Sequence, residues 1–144
     1  MEKNIEIINL TNQSIKSITL VIDNFIIDIE NKKLQKLLTD KVSEYETLID
    51  ECKLIMKSYK KELEDIGFFE KYQNMISLKI AKLNTKSTFE VAKLIYLSVV
   101  ETMPDLYHLL LNTNEELEIV KKLINTNEDF IENLKQFFVL NEEK

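Results

Sequence analysis

Apolar residues recur along most of this chain at intervals of three and four, the period of one buried face of an α-helix. Ile8, Ile15, Ile18, Ile22, Phe25, Ile26 and Ile29 share such a face and predict a first helix over residues 4–30. Its many β-branched residues lower its intrinsic propensity, so it depends on packing. The phase resets around Asn31-Lys32-Lys33. A second helix over 33–66 then turns Leu34, Leu37, Leu38, Tyr45, Leu48, Cys52, Ile55, Met56, Tyr59, Leu63 and Ile66 inward, with Gly67 as the residue that ends it. A shorter piece over 68–83 (Phe68, Phe69, Tyr72, Met75, Ile76, Ile80, Leu83) gives way at Asn84-Thr85-Lys86. Ser87-Thr88-Phe89-Glu90 is a capping box, which starts a helix over 88–112 that bends near Pro104. Thr113-Asn114-Glu115-Glu116 repeats that pattern and opens a last helix over 114–140, with Leu117, Val120, Ile124, Ile131, Leu134 and Phe138 inward. The echo between 111–115 and 124–128 reads as compositional, with a break near Asn125 as the alternative.

One Gly and one Pro in 144 residues leave too few turn formers for a sheet, and no Gly-, Ser- or Pro-rich linker divides the chain. The expected fold is all-α, a single domain over 1–144. It is an antiparallel up-down four-helix bundle, on the order of 40 Å long. In it, 68–83 and 88–112 are two limbs of a third helix broken near residues 84–87.

Charge and composition narrow the function classes. The formal net charge is -6, and all 19 basic residues are Lys. Arg, the bidentate reader of phosphate and guanine, is absent, which argues against nucleic acid as a partner. The single cysteine, Cys52, falls on an apolar helix face, fitting a small buried hydrophobe and a reducing compartment. Lys16, Asp23 and Asp28 interrupt the first apolar stretch, so neither a signal peptide nor a membrane span is expected. The expected location is the cytoplasm.

A di-iron centre in a bundle needs paired Glu and Glu-x-x-His motifs. Glu51-x-x-Leu54 and Glu128-x-x-Ile131 carry aliphatic residues where imidazoles are required. The only acid-x-x-His is Asp105-x-x-His108, and Cys52 and His108 stand far apart in sequence. No catalytic, cofactor-binding or metal-ligating residues are assigned. Asn12, Thr19, Lys41, Thr102 and Asn127 are polar residues on inward faces. Lys41 reads as a snorkelling side chain or as a partner of Asp23 or Glu44 that fixes helix register, with a ligand-binding charge as the alternative.

Projection of the helix over 88–112 places Val91, Ile95, Val99, Thr102 and Leu106 on its core face. On the opposite side Leu97, Val100, Pro104, Tyr107 and Leu111 form a second apolar stripe, the candidate interaction surface. Either the 68–83 segment covers it or a second chain does.

Ser58-Tyr59-Lys60-Lys61-Glu62 at the end of the second helix, the restart at Lys86-Ser87-Thr88, and Glu128-x-x-Ile131-Glu132-x-Leu134-Lys135-x-Phe137 carry a resemblance. In layout the chain resembles small ferritin-like (rubrerythrin-like) four-helix-bundle proteins of low-GC Firmicutes that lack the di-iron ligands. The resemblance implies a ferritin-like fold, a cytoplasmic location and dimer formation; oxidase or iron-storage activity does not carry over. The expected function is that of a non-enzymatic bundle acting through protein contacts, as a homodimer or with another cytoplasmic protein. The alternatives are a degenerate ferritin-like metal or redox protein, and an immunity-type or phage-derived inhibitor.

Overall fold

Asn24 ends the first helix earlier than its apolar pattern does. Its side-chain amide donates to the Leu20 carbonyl at 2.8 Å, and the backbone turns over with Phe25 N–H on Ile22 O at 2.9 Å. Asn favours such side-chain-to-backbone bonds over continued helix. Helix α1 therefore spans Glu2–Asp23, not 4–30, although Phe25 remains buried and Ile26 and Ile29 pack beside the core. In the computed structural model, residues 2–64, 68–81, 87–112 and 116–139 are described, 68–73 by backbone alone.

Helix α2 (Lys32–Ser58) starts where the phase resets, with Asn31 Oδ1 accepting from Leu34 N–H at 2.9 Å. It stops about two turns short of the expected end. Lys60 adopts φ 59°, Lys60 N–H donates to Lys57 O at 2.9 Å, and Lys61 N–H donates to Met56 O at 3.0 Å. This is a Schellman end whose left-handed position is filled by lysine in place of glycine. Gly67 lies outside the described residues.

Helix α3 (Phe68–Ala81) packs on α1 through a face that buries Ile76. Helix α4 (Thr88–Leu109) begins where the capping box predicts, Ser87 Oγ accepting from Glu90 N–H at 3.2 Å, and runs unbroken through Pro104. Helix α5 spans Leu117–Leu134 and α6 Gln136–Val139. The Thr113-Asn114-Glu115 cap lies outside the described residues, and the helix begins at Leu117 after a Glu116 that makes no side-chain cap bond. No break occurs near Asn125; the interruption falls at Lys135 instead. That turn re-phases the apolar pattern, so that Phe137 is fully buried while Phe138 is half-buried, edge-on to Tyr96 and Phe89 at 5.1 and 5.8 Å between ring centroids.

The described residues are all-helical, with no strand. Helices α1, α2, α4 and α5 enclose a common core: α1 packs on α2 and α4, and α5 packs on both as well. Pairing of Asn4 with Tyr59 at one end and Gln35 with Ile26 at the other sets α1 and α2 antiparallel. Glu51 with Lys122 and Lys41 with Asp129 do the same for α2 and α5.

Helix α4 begins beside the α1–α2 turn, where Ser87 and Val91 share a cleft with Phe25 and Leu34. It therefore runs in the same direction as α2, and the chain from 59 to 87 returns along the length of the molecule. Helix α3 is part of that return and is no limb of α4. A tight connection would have forced α2 and α4 antiparallel; the 59–87 segment is long enough to avoid that.

Candidate functional site

The Ile- and Val-rich core face of α4 sits as projected, with Val91, Ile95, Val99 and Leu106 buried and Thr102 half-buried. A helix with one face satisfied in this way normally fills the other with charges. Here Leu97, Val100, Tyr107 and Leu111 are 44, 36, 45 and 75% exposed, and Pro104 between them is exposed too. The structure thus brings all five candidate residues onto one outward surface, Leu111 in the turn just past the helix end. Helix α3 leaves them open, since it meets α4 on a neighbouring face through Lys79 and Glu101 at 3.2 Å.

Their spacing is 3, 4, 3, 4, the seam of a coiled coil with period 3.5. Charge borders the seam asymmetrically. Lys93, one turn before Leu97, lies over the Phe89 ring at 5.9 Å. At the other end Tyr107 Oη donates to Glu128 Oε2 on α5 at 2.7 Å, and that bond to a carboxylate is the main reason the Tyr107 hydroxyl titrates above its ordinary value. Glu128 is the contributor to this surface that sequence reading missed, because it comes from another helix.

Inside, polar residues form a crossing layer. Tyr45 Oη donates to Asn127 Oδ1 at 2.7 Å, and Asn127 Nδ2 donates to Thr102 Oγ1 at 3.3 Å and approaches Met103 Sδ at 3.6 Å. Burial, and then the Glu44 charge, push the Tyr45 hydroxyl well above its ordinary value, so it stays a donor. Lys41 is buried and paired with Glu44 at 3.2 Å and with Asp129 of α5. The Glu44 pairing is local and legible from the sequence; Asp129 takes the place that Asp23 was expected to fill. Both acids are about half exposed or more and keep their hydration, so the pair fixes how α2 and α5 slide past each other more than it adds stability. Asp23 is instead pushed up by partial burial and by Glu46.

The residues with chemical potential, Glu51, Cys52 and His108, do not converge. Leu54 is 69% exposed, so Glu51-x-x-Leu54 lies on the outer surface, where Glu51 pairs with Lys122 at 3.1 Å. Among the described residues no three His, Cys, Asp or Glu side chains are grouped to hold a metal ion. Cys52 is sealed in the core with its thiol pushed up to about 12, by burial first and Glu51 second, which leaves no thiolate at neutral pH. His108 is exposed on a different helix. No described helix is long and apolar enough to cross a membrane. No family model matches the sequence, and neither the curated proteins nor the solved structures contain a significant match.

Proposed function

We propose that the chain is a ferritin-like four-helix bundle without a catalytic centre, and that it acts through protein contacts by pairing with a second copy of itself across the outward face of α4. One long crossover between the second and third long helices is the connectivity of ferritin-like bundles, and the 59–87 return supports that reading. The observation that carries the function is the exposed 3-4 seam of Leu97, Val100, Pro104, Tyr107 and Leu111.

The charges choose the partner. An isologous contact must be complementary to itself. Antiparallel pairing of two α4 helices, with Leu97 and Val100 near the two-fold axis, carries Lys93 of one copy toward the Tyr107–Glu128 pair of the other, twice per dimer. Parallel pairing would stack Lys93 on Lys93.

Sedimentation velocity at tens of micromolar tests this. The wild type sediments as a dimer, and Leu97→Glu/Val100→Glu sediments as a folded monomer of unchanged helicity. Lys93→Glu weakens the dimer and adding Glu128→Lys restores it. A monomeric wild type, or a Leu97→Glu/Val100→Glu chain that unfolds, overturns the proposal.

A further inference from the structure

Phe89, Tyr96 and Phe138 form a second apolar feature beside the α4 seam. Phe89 and Tyr96 each meet Phe138 edge-on, with ring centroids 5.8 and 5.1 Å apart. Phe89 is nonetheless 41% exposed, Tyr96 and Phe138 are half-buried, and the Lys93 ammonium stands over the Phe89 ring at 5.9 Å. Lys93 makes no ion pair with a described residue, and neither does Glu128, which accepts from Tyr107 Oη at 2.7 Å.

The cluster lies on the α5 flank of α4, because Phe138 belongs to α6, which follows α5 and packs against both helices. Tyr107 is on the same flank at the other end of α4, since its hydroxyl reaches Glu128 of α5. A two-fold axis perpendicular to two antiparallel helices reverses their direction without exchanging their sides, so like flanks stay together. With Leu97 of one copy level with Val100 of the other, each step toward the end of one helix matches a step toward the start of its partner. Tyr107 of one copy then comes level with Glu90 of the other, one residue from Phe89 and within one turn of Lys93.

We propose that this aromatic cluster is the second half of the dimer interface and that it receives Tyr107 of the partner copy. The Lys93 ammonium is held between the Phe89 and Tyr107 rings, one from each chain, with the partner's Glu128 carboxylate as its counter-charge. Symmetry builds this contact twice. It rests on the pairing of two chains across the α4 seam and supplies what the seam lacks, since an apolar stripe alone accepts any matching helix.

The test is a double-mutant cycle on the dimer dissociation constant, measured by sedimentation equilibrium for Phe89→Ala, Tyr107→Ala and the two combined. Within one chain the two side chains are eighteen residues of helix apart, about 27 Å, a separation at which effects within a fold add. Coupling between them therefore arises across the dimer. Each single change weakens the dimer about tenfold, and the combination weakens it no more than about twofold beyond the worse single change. Single changes that multiply in the combination, or that leave the dissociation constant unmoved, overturn the cluster as the partner's site. If Leu97→Glu/Val100→Glu still dissociates the dimer, that result leaves the seam itself standing, whereas a monomeric wild type removes both. Circular dichroism at 222 nm checks each variant for unchanged helicity, and Phe89→Leu takes the place of Phe89→Ala in the cycle if helicity falls.

Discussion

Asn12 and Asn127 make a matched pair. Both are asparagines 0% exposed inside long helices, yet the first has neither its Nδ2 nor its Oδ1 hydrogen-bonded and the second has both in use. Substitution by Leu, which keeps the branch at Cγ, should therefore change stability in opposite directions. At Asn12 the replacement removes two unsatisfied atoms that cost about 1–3 kcal/mol each. Two methyl groups are larger than the amide, and overpacking takes back about 1–3 kcal/mol. The expected result is a net gain of about 1–3 kcal/mol, or about 2–4 °C in Tm per kcal/mol at this chain length. At Asn127 the same change strands the buried Tyr45 hydroxyl and frees the Thr102 contact, for a loss of about 1–3 kcal/mol. Urea unfolding followed by circular dichroism at 222 nm reads both as midpoint shifts at unchanged m-value. Asn12→Leu moving the midpoint down, in step with Asn127→Leu, would refute the reasoning and show that the Asn12 amide is satisfied in solution.

Ser87→Ala should cost about 0.5–2 kcal/mol by removing the acceptor for Glu90 N–H; an unmoved denaturation midpoint would dissociate the start of α4 from that cap. Lys60→Gly should stabilise by about 0.5–1 kcal/mol, since φ 59° is strained for a side chain with Cβ and free for glycine; thermal melts decide it. Cys52 should resist thiol reagents at pH 8 until the protein unfolds, with labelling rates following global opening. Its folded pKa of about 12 stands above the value of about 8.5 for an unfolded thiol. The unfolded chain therefore loses the proton first, and this group's contribution to stability is complete below about pH 8.5 and declines as pH rises toward 12. A Cys52→Ala variant should show a shallower alkaline loss, measured by urea midpoints between pH 8 and 11.

What the sequence made legible is what is local. The Ser87 cap, the Asn31 start and the Lys41–Glu44 pair each span three residues, and the outward stripe on α4 follows from spacing within one helix. The apolar pattern overruns the ends of α1 and α2 because apolar residues continue past them. Phe25 keeps contact with the core from the turn after α1, and Ile29 and Leu63 do so from irregular chain. The phase of α5 was half right. Leu123 and Phe130 are fully buried beside the expected Val120 and Ile124, and the turn at Lys135 shifts the burial from Phe138 to Phe137. The direction of α4 relative to α2 was invisible, since an amphipathic segment such as 68–81 declares a buried face but not the helix that buries it. Asp129, 88 residues from Lys41, and Glu128, on a different helix from Tyr107, belong to the same class of fact.

The long connection between α2 and α4 divides the chain into two antiparallel hairpins, α1–α2 and α4–α5, tied by a strap that carries α3. Each hairpin forms from contacts near in sequence, and the two then dock along α1–α4 and α2–α5. Those docking surfaces do not record which molecule supplied them. Two chains folding side by side can exchange hairpins through their straps and satisfy the contacts between the two hairpins, a domain-swapped arrangement. Protein concentration during refolding then selects between closed and exchanged forms by mass action. Shortening the 59–87 strap would lock the hairpins apart in the monomer and leave exchange as the only way to complete the core.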